Sequence, residues 1–195
     1  MNNLTYFDMK KILLIAAMAF VSAAGFAQNK FAHVNFTELV QLMPEADEAR
    51  ATMQASSNEA QETYQAMVEE YQAKFQEYQQ KSSTWTQSIR ESKENSLMDM
   101  QQRIQEFEQN VQQELALQQN QLQAPIYEKA QQAVEKLAKD GGYIYVFESS
   151  SVLYVDPSQS TDLTPAARKA LGIADDKTLE ALQAELLAQQ QQAQQ

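Results

Sequence analysis

Between Glu45 and Ala124 the chain contains neither glycine nor proline. Eighty residues without a breaker constrain the fold more than any other feature, because in a helix interior each Gly costs about 1 kcal/mol and each Pro about 3. Gln, Glu, Ala and Lys fill the stretch, and all are good helix formers. The long apolar runs that would build a single compact core are missing. The expectation is a long helical segment that folds back on itself. Its reversal should fall in "KSSTWTQSIRESKEN", residues 81–95, where Ser, Thr and Asn gather and compete with helical hydrogen bonding. Two antiparallel helices of about 40 residues follow, each roughly 60 Å long at about 1.5 Å per residue.

The apolar positions say how the two helices meet. Tyr64, Tyr71, Tyr78 and Trp85 are seven apart, with Val68, Phe75 and Ile89 between them and Ser82 as a gap. Alternating steps of four and three mark a coiled-coil seam. On the returning strand of the hairpin, Leu97, Met100, Ile104, Phe107 and Val111 continue that rhythm. The step then becomes four again, to Leu115, a stutter that locally unwinds a supercoil. From Ala46 to Ala60 the seam is weak, mostly alanine with Met53. Tyrosine is an unusual choice for a dry seam, since its hydroxyl needs a partner or water.

Shorter elements flank the hairpin. "KFAHVNF", Lys30 to Phe36, reads as a strand with Ala32, Val34 and Phe36 on one face. Thr37 would then cap a short helix that stops at Pro44. Gly141 and Gly142 end the long helix. Tyr143 to Glu148 and Val152 to Val155, separated by three serines, read as a β-hairpin. Tyr143 to Phe147 is apolar on both faces and should be buried on both sides. Thr164 should cap "PAARKALG", stopped by Gly172. A last helix follows, with Gln189 to Gln195 read as a frayed end.

The first 27 residues read as a cleaved secretory signal: Met9-Lys10-Lys11, then the apolar run Ile12 to Val21, then small residues before Gln28. Met9 could serve as the initiator. No cysteine is present, which excludes a lipid-modified cysteine and a disulfide scaffold. The mature product is expected to be a soluble exported protein. Without residues 1–27 it carries 13 basic against 25 acidic residues, a net of −12. That balance argues against nucleic acid as a partner, because neutralising phosphates needs an excess of Lys and Arg.

The sequence offers almost nothing for catalysis. The single histidine, His33, lies on a predicted strand and reads as structural. No metal-binding, phosphate-cradling or nucleophile motif is present, so neither an enzyme nor a cofactor is expected. Charge is patterned along the hairpin instead. Residues 45–73 carry seven acids and one Arg, and residues 94–114 five acids and one Arg. Between them Lys74, Lys81, Arg90 and Lys93 outnumber Glu77 and Glu91. The predicted turn is therefore a basic tip on acidic arms, either an ordinary solvated surface or a contact for anionic membrane or acidic segments.

Three blocks carry a resemblance: "FAHVNFTELVQLMPEADEA", "QLQAPIYEKAQQAVEKLAKDGGYIYVFE" and "VLYVDPSQSTDLTPAARKALG". With the helical span between them they are similar to the Skp/OmpH-like periplasmic chaperones over about residues 30–172. The resemblance implies an α+β, jellyfish-like fold, in which a long antiparallel helical hairpin forms a coiled-coil arm on a small β body made by trimerisation. It also implies an ATP-independent periplasmic holdase that binds unfolded outer-membrane proteins in a cavity between arms.

The chain then divides into a signal (1–27), a body strand and short helix (28–44), an arm (45–139), a second body segment (140–174) and a C-terminal helix with a Gln-rich tail (175–195). The expected client contacts are Tyr78, Trp85, Ile89, Met98 and Met100, with Trp85 the most exposed of the aromatic ladder. The expected trimer-body residues are Val34, Phe36, Ile144, Val146, Val152 and Tyr154. A weak membrane contact at the tips is a further expectation. Two features depart from the family pattern: the acidic balance, where well-studied members are basic, and the extension after residue 174. The rival reading is a structural coiled coil or adaptor of the envelope that holds no client.

Overall fold

The structure, a computed structural model, describes residues 30–192. The signal segment, 1–27, and the last three residues lie outside the described residues. Strand β1 (Lys30–Val34) leads through Asn35 into helix α1 (Phe36–Leu42). Helix α2 (Pro44–Lys81) runs out, a short 3-10 turn (Ser82–Thr84) reverses the chain, and helix α3 (Gln87–Gly141) runs back. Strand β2 (Tyr143–Glu148), a second 3-10 turn (Ser149–Ser151), strand β3 (Ser160–Asp162), helix α4 (Thr164–Ala170) and helix α5 (Leu179–Gln192) complete it.

The long helices begin and end where the residues dictate. Pro44 opens α2, where its missing N–H costs nothing, and Glu45 and Asp47 fill the first turn. Thr86 caps α3 by accepting a hydrogen bond from the Ile89 amide. Gly142, at φ 67°, closes α3 in the left-handed region that favours glycine. The reversal at 82–86 falls within the expected window. The second helix, however, has 55 residues rather than about 40. It runs straight through Pro125, because packing of Ile126 and Ala130 into the body core outweighs a local breaker.

The body departs from expectation in its strands. The sheet has three strands in the order β2-β1-β3, and both pairings are parallel. Parallel neighbours cannot be joined by a tight turn, so the expected hairpin is absent and the whole arm is the crossover from β1 to β2. Val152–Val155 is not a strand. Glu148 accepts hydrogen bonds from the Ser150 amide and hydroxyl, which bends the chain out of the sheet after β2. The third strand is instead polar Ser160–Asp162. Beyond it the Leu163 amide donates to the His33 carbonyl, and His33 Nδ1 lies 2.9 Å from Ser160 Oγ. His33 is thereby engaged as a structural residue.

Caps also moved. Asn35, not Thr37, caps α1: its side chain accepts from the Glu38 amide at 3.0 Å and donates to the Glu38 carboxylate at 3.1 Å. This reciprocal arrangement starts a helix at Phe36, so β1 ends at Val34 and Phe36 belongs to α1. The Phe36 amide donates to Glu148 Oε2 at 2.7 Å, joining α1 to the end of β2. Thr164 does not use its hydroxyl as a cap either. That oxygen accepts from the Asn35 amide, while Asp162 accepts from the Thr164 amide.

One face of β1, Ala32 and Val34, packs under α1, the root of α3, and α4. Leu39, Leu42 and Met43 are fully buried there, with Ile126, Leu163, Ala167, Leu171, Ile173 and Leu182 around them. Fully burying each such large side chain contributes about 1.5–3 kcal/mol. The opposite face of the sheet carries Phe31, Tyr145 and Phe147 in a stacked row, with centroids 6.3 and 5.9 Å apart. All three are exposed within the single chain. Tyr143–Phe147 is therefore covered on one side only, contrary to the expected burial on both, because one chain supplies no second layer.

Candidate client-binding arm

Helices α2 and α3 pair along the expected seam. Leu97, Met100 and Ile126 are buried, and Ile104, Phe107, Val111, Leu115 and Leu122 are half-buried. On the facing helix Met67, Val68 and Tyr71 are also only half-buried. Beyond Ala46, no residue of α2 is buried. The arm is held by a narrow, partly wet seam.

The tyrosine ladder explains how such a seam tolerates hydroxyls. Tyr78 donates to Glu94, the Tyr71 hydroxyl accepts from Gln101 at 2.8 Å, and Tyr64 is hydrogen-bonded to Glu108. Glu94, Gln101 and Glu108 are also seven apart and run in the opposite direction. Each tyrosine lays its ring along the seam and ends on a polar group of the facing helix. The carboxylates hold the phenols of Tyr64 and Tyr78 above their ordinary values, through hydrogen bonding first. The sequence shows the tyrosines at once. Their partners hide among generic Glu and Gln, and only the antiparallel register picks them out. Nearer the body, Gln118 donates to Ser56 at 3.0 Å. From Tyr64–Glu108 to Ser56–Gln118 the chain advances eight residues on α2 and ten on α3, and the interval contains the expected stutter at Leu115.

The structure sorts the expected client contacts. Ile89 and Met98 are exposed, at 45% and 57% of their surface. Met100 is sealed in the seam at 8%, because the +3 step from Leu97 turns it inward. Trp85 is half-buried, so it is not the most exposed rung: Tyr78 packs edge-on against it at 5.9 Å and Lys93 lies 5.7 Å from its ring centroid. Tyr64, at 36%, is the exposed member of the ladder. It borders an open groove of about 430 Å³ with Gln61, Gln65, Val68, Glu69 and Gln72. Phe75, expected in the seam, is instead exposed at 40%, and Leu117 and Tyr127 are exposed apolar positions that were not singled out from sequence.

The basic tip is largely neutralised from within. Lys74 pairs with Glu70 at 2.8 Å, Lys81 with Glu77 at 3.1 Å, and Lys93 with Glu77 at 3.8 Å. These lysines hold the Glu70 and Glu77 carboxyls below the ordinary value. Among the described residues, Arg90 alone of the four basic residues at the tip has no ion pair.

The expected trimer-body residues also divide. Val34 is buried and Phe36 and Val146 pack against the chain's own core, whereas Ile144 and Tyr154 are exposed and Val152 is half-buried outside any strand. Phe31, Tyr145, Phe147 and a fully exposed Leu153 offer more apolar surface than the residues chosen from sequence. No cluster of metal-ligating side chains occurs among the described residues, and no helix there is long and apolar enough to cross a membrane.

A paired-helix arm on a three-stranded body is the architecture of the OmpH-like outer-membrane proteins, and the chain belongs to that family. The family model described as "Outer membrane protein (OmpH-like)" matches residues 30–171. Among particular relatives, "Chaperone protein Skp" of Yersinia enterocolitica is 29% identical over 153 residues, covering 77% of this chain and 93% of its own. A crystal structure of an OmpH-like outer membrane chaperone candidate from Caulobacter crescentus CB15 shares the fold, with a TM-score of 0.66 at 14% identity. It covers 75% of this chain and 86% of its own.

Proposed function

We propose that this protein is an ATP-independent holdase of the periplasm, exported by residues 1–27, that keeps unfolded outer-membrane proteins from aggregating. The observation that carries this reading is surplus apolar surface on the arm. Phe75, Ile89, Met98 and Leu117 stand exposed on two helices whose seam is closed by Leu97, Met100, Val68 and Tyr71, and the seam residue Tyr64 leaves part of its ring open beside them. Flexible or aromatic side chains scattered among Gln and Glu can touch many sequences loosely, while the acidic surround keeps the complex dissolved. Ile89 and Met98 are the client contacts nearest the tip, with the edges of Tyr78 and Trp85 beside them.

In this reading three chains pool their sheets. The stacked row of Phe31, Tyr145 and Phe147 gives an apolar face of the kind that one small chain leaves open and an oligomer closes. A homotrimer would set three arms around a common cavity. Any membrane contact at the tips would rest on Arg90 and would be weak.

The mature protein should keep a urea-diluted outer-membrane β-barrel in solution at stoichiometric excess, and native mass measurement on the same sample should give three chains. Unchanged aggregation of the barrel would overturn the holdase reading in favour of a purely structural envelope protein. A monomer would overturn the shared body.

A further inference from the structure

The segment beyond the family match packs onto the body and reaches the root of the arm. Helix α1 ends at Leu42, Met43 is extended at φ −59° and ψ 145°, and α2 starts at Pro44. This is a break of one residue between body and arm. The returning helix has its own weak point: Pro125 has no N–H to give the Gln121 carbonyl. The two points lie near one level, because Glu45 at the start of α2 pairs with Lys129, one turn beyond Pro125. Both helices therefore leave the body through a turn that lacks a backbone hydrogen bond, and the two breaks draw one line across the arm's root.

Lys177 spans that line. Its ammonium donates to the Leu42 carbonyl at 2.9 Å, on the body side, and to the Asp47 carboxylate, on the arm side. Arg168 places it there. One guanidinium nitrogen of Arg168 meets Glu38 of α1 at 2.5 Å, and the other donates to the Ala174 and Lys177 carbonyls, each at 2.7 Å. Ile173 and Leu182, on either side of Lys177, are buried in the core. Arg50 also pairs with Asp47 and reaches the Gln41 carbonyl at 3.1 Å, so the same carboxylate is tied to the body from two directions.

We propose that residues 173–182 form a strap that sets the stance of the arm on the body, with Lys177 as the staple across a hinge at Met43–Pro44. The strap restrains how far the arm swings at Met43–Pro44. It leaves the distal arm free, since neither Lys177 nor Arg168 makes contact beyond Asp47. The proposal is mechanical and stands whether or not the arm holds a client.

Amide hydrogen exchange on the full mature chain tests it. The Ala46 and Asp47 amides donate to the Met43 carbonyl at the hinge. In Lys177→Met, which keeps the buried stem and removes the charge, these two amides should lose protection about three- to tenfold, as suits a partly exposed charged contact. Asp47→Asn should act at the same amides. Amides of β1 and of residues 97–111 should exchange as in the wild type. Unchanged protection at Ala46 and Asp47 in Lys177→Met would overturn the staple. An equal loss in β1 would also overturn it, by making Lys177 a general stabiliser of the body.

Discussion

The body and the arm of this protein are built by opposite rules. In the body, Ala32, Leu39, Leu42 and Met43 are wholly buried and long-range polar contacts tie its elements together: Glu148 to Phe36, Thr164 to Asn35, Arg168 to Glu38. In the arm no large side chain of α2 is buried, and tyrosine hydroxyls share the seam with apolar side chains. A close-packed core with satisfied polar groups has one arrangement. A narrow, half-exposed seam buries less apolar surface per residue and is held less firmly. The difference separates a self-satisfied body from an arm with apolar surface left over, and the proposed client contacts lie on the arm.

Substitutions can break or sharpen that contrast. The largest effect is expected in the body: Leu42→Ala should cost about 2–5 kcal/mol, read by urea unfolding. Phe75→Ala on the arm, a ring 40% exposed, should cost less than about 1 kcal/mol by the same measurement. Equal losses would erase the distinction. Gly142→Ala, forcing a side chain to φ 67° at the junction of α3 and β2, should cost about 1–2 kcal/mol.

Acid should loosen the root of the arm. Burial alone would raise the Asp47 carboxyl, but hydrogen bonds and charge from Lys177 and Arg50 prevail and hold it below 3.8. The hydrogen bond from Lys129 chiefly holds Glu45 below 4.5. Both are depressed on folding, so their stabilisation is complete above those ordinary values and is lost as pH falls below them. Melting followed from pH 6 to pH 3 should show a decline beginning near 4.5, and Asp47→Asn should flatten part of it. The smallest effect is Tyr71→Phe, which removes one hydroxyl from the half-buried ladder and should shift stability by about 0.5 kcal/mol or less.

The arm was readable from sequence and much of the body was not, for a physical reason. Heptads, Pro44 and the Gly141-Gly142 stop act locally, so the seam of Leu97 to Ile126 could be named residue by residue. Met100 showed the limit: it was chosen as a client contact although its place in the seam already turned it inward. Trp85 looked like a bare tip residue because nothing local reveals that Tyr78 and Lys93 close over it. The body is decided by partners more than 100 residues apart. Val152–Val155 has strand composition but no strand to pair with, while Ser160–Asp162 has no apolar pattern and pairs because β1 offers an edge. Gln189–Gln192 was read as frayed, yet it continues α5, where Gln189 donates back to Glu185 at 3.2 Å.

Hydrogen exchange of the mature protein with and without an unfolded outer-membrane β-barrel tests the division of labour most directly. Added client should raise protection across residues 64–104 of the arm and leave β1, α1 and β3 unchanged. Protection confined to the body, or no change anywhere while the barrel stays in solution, would contradict it.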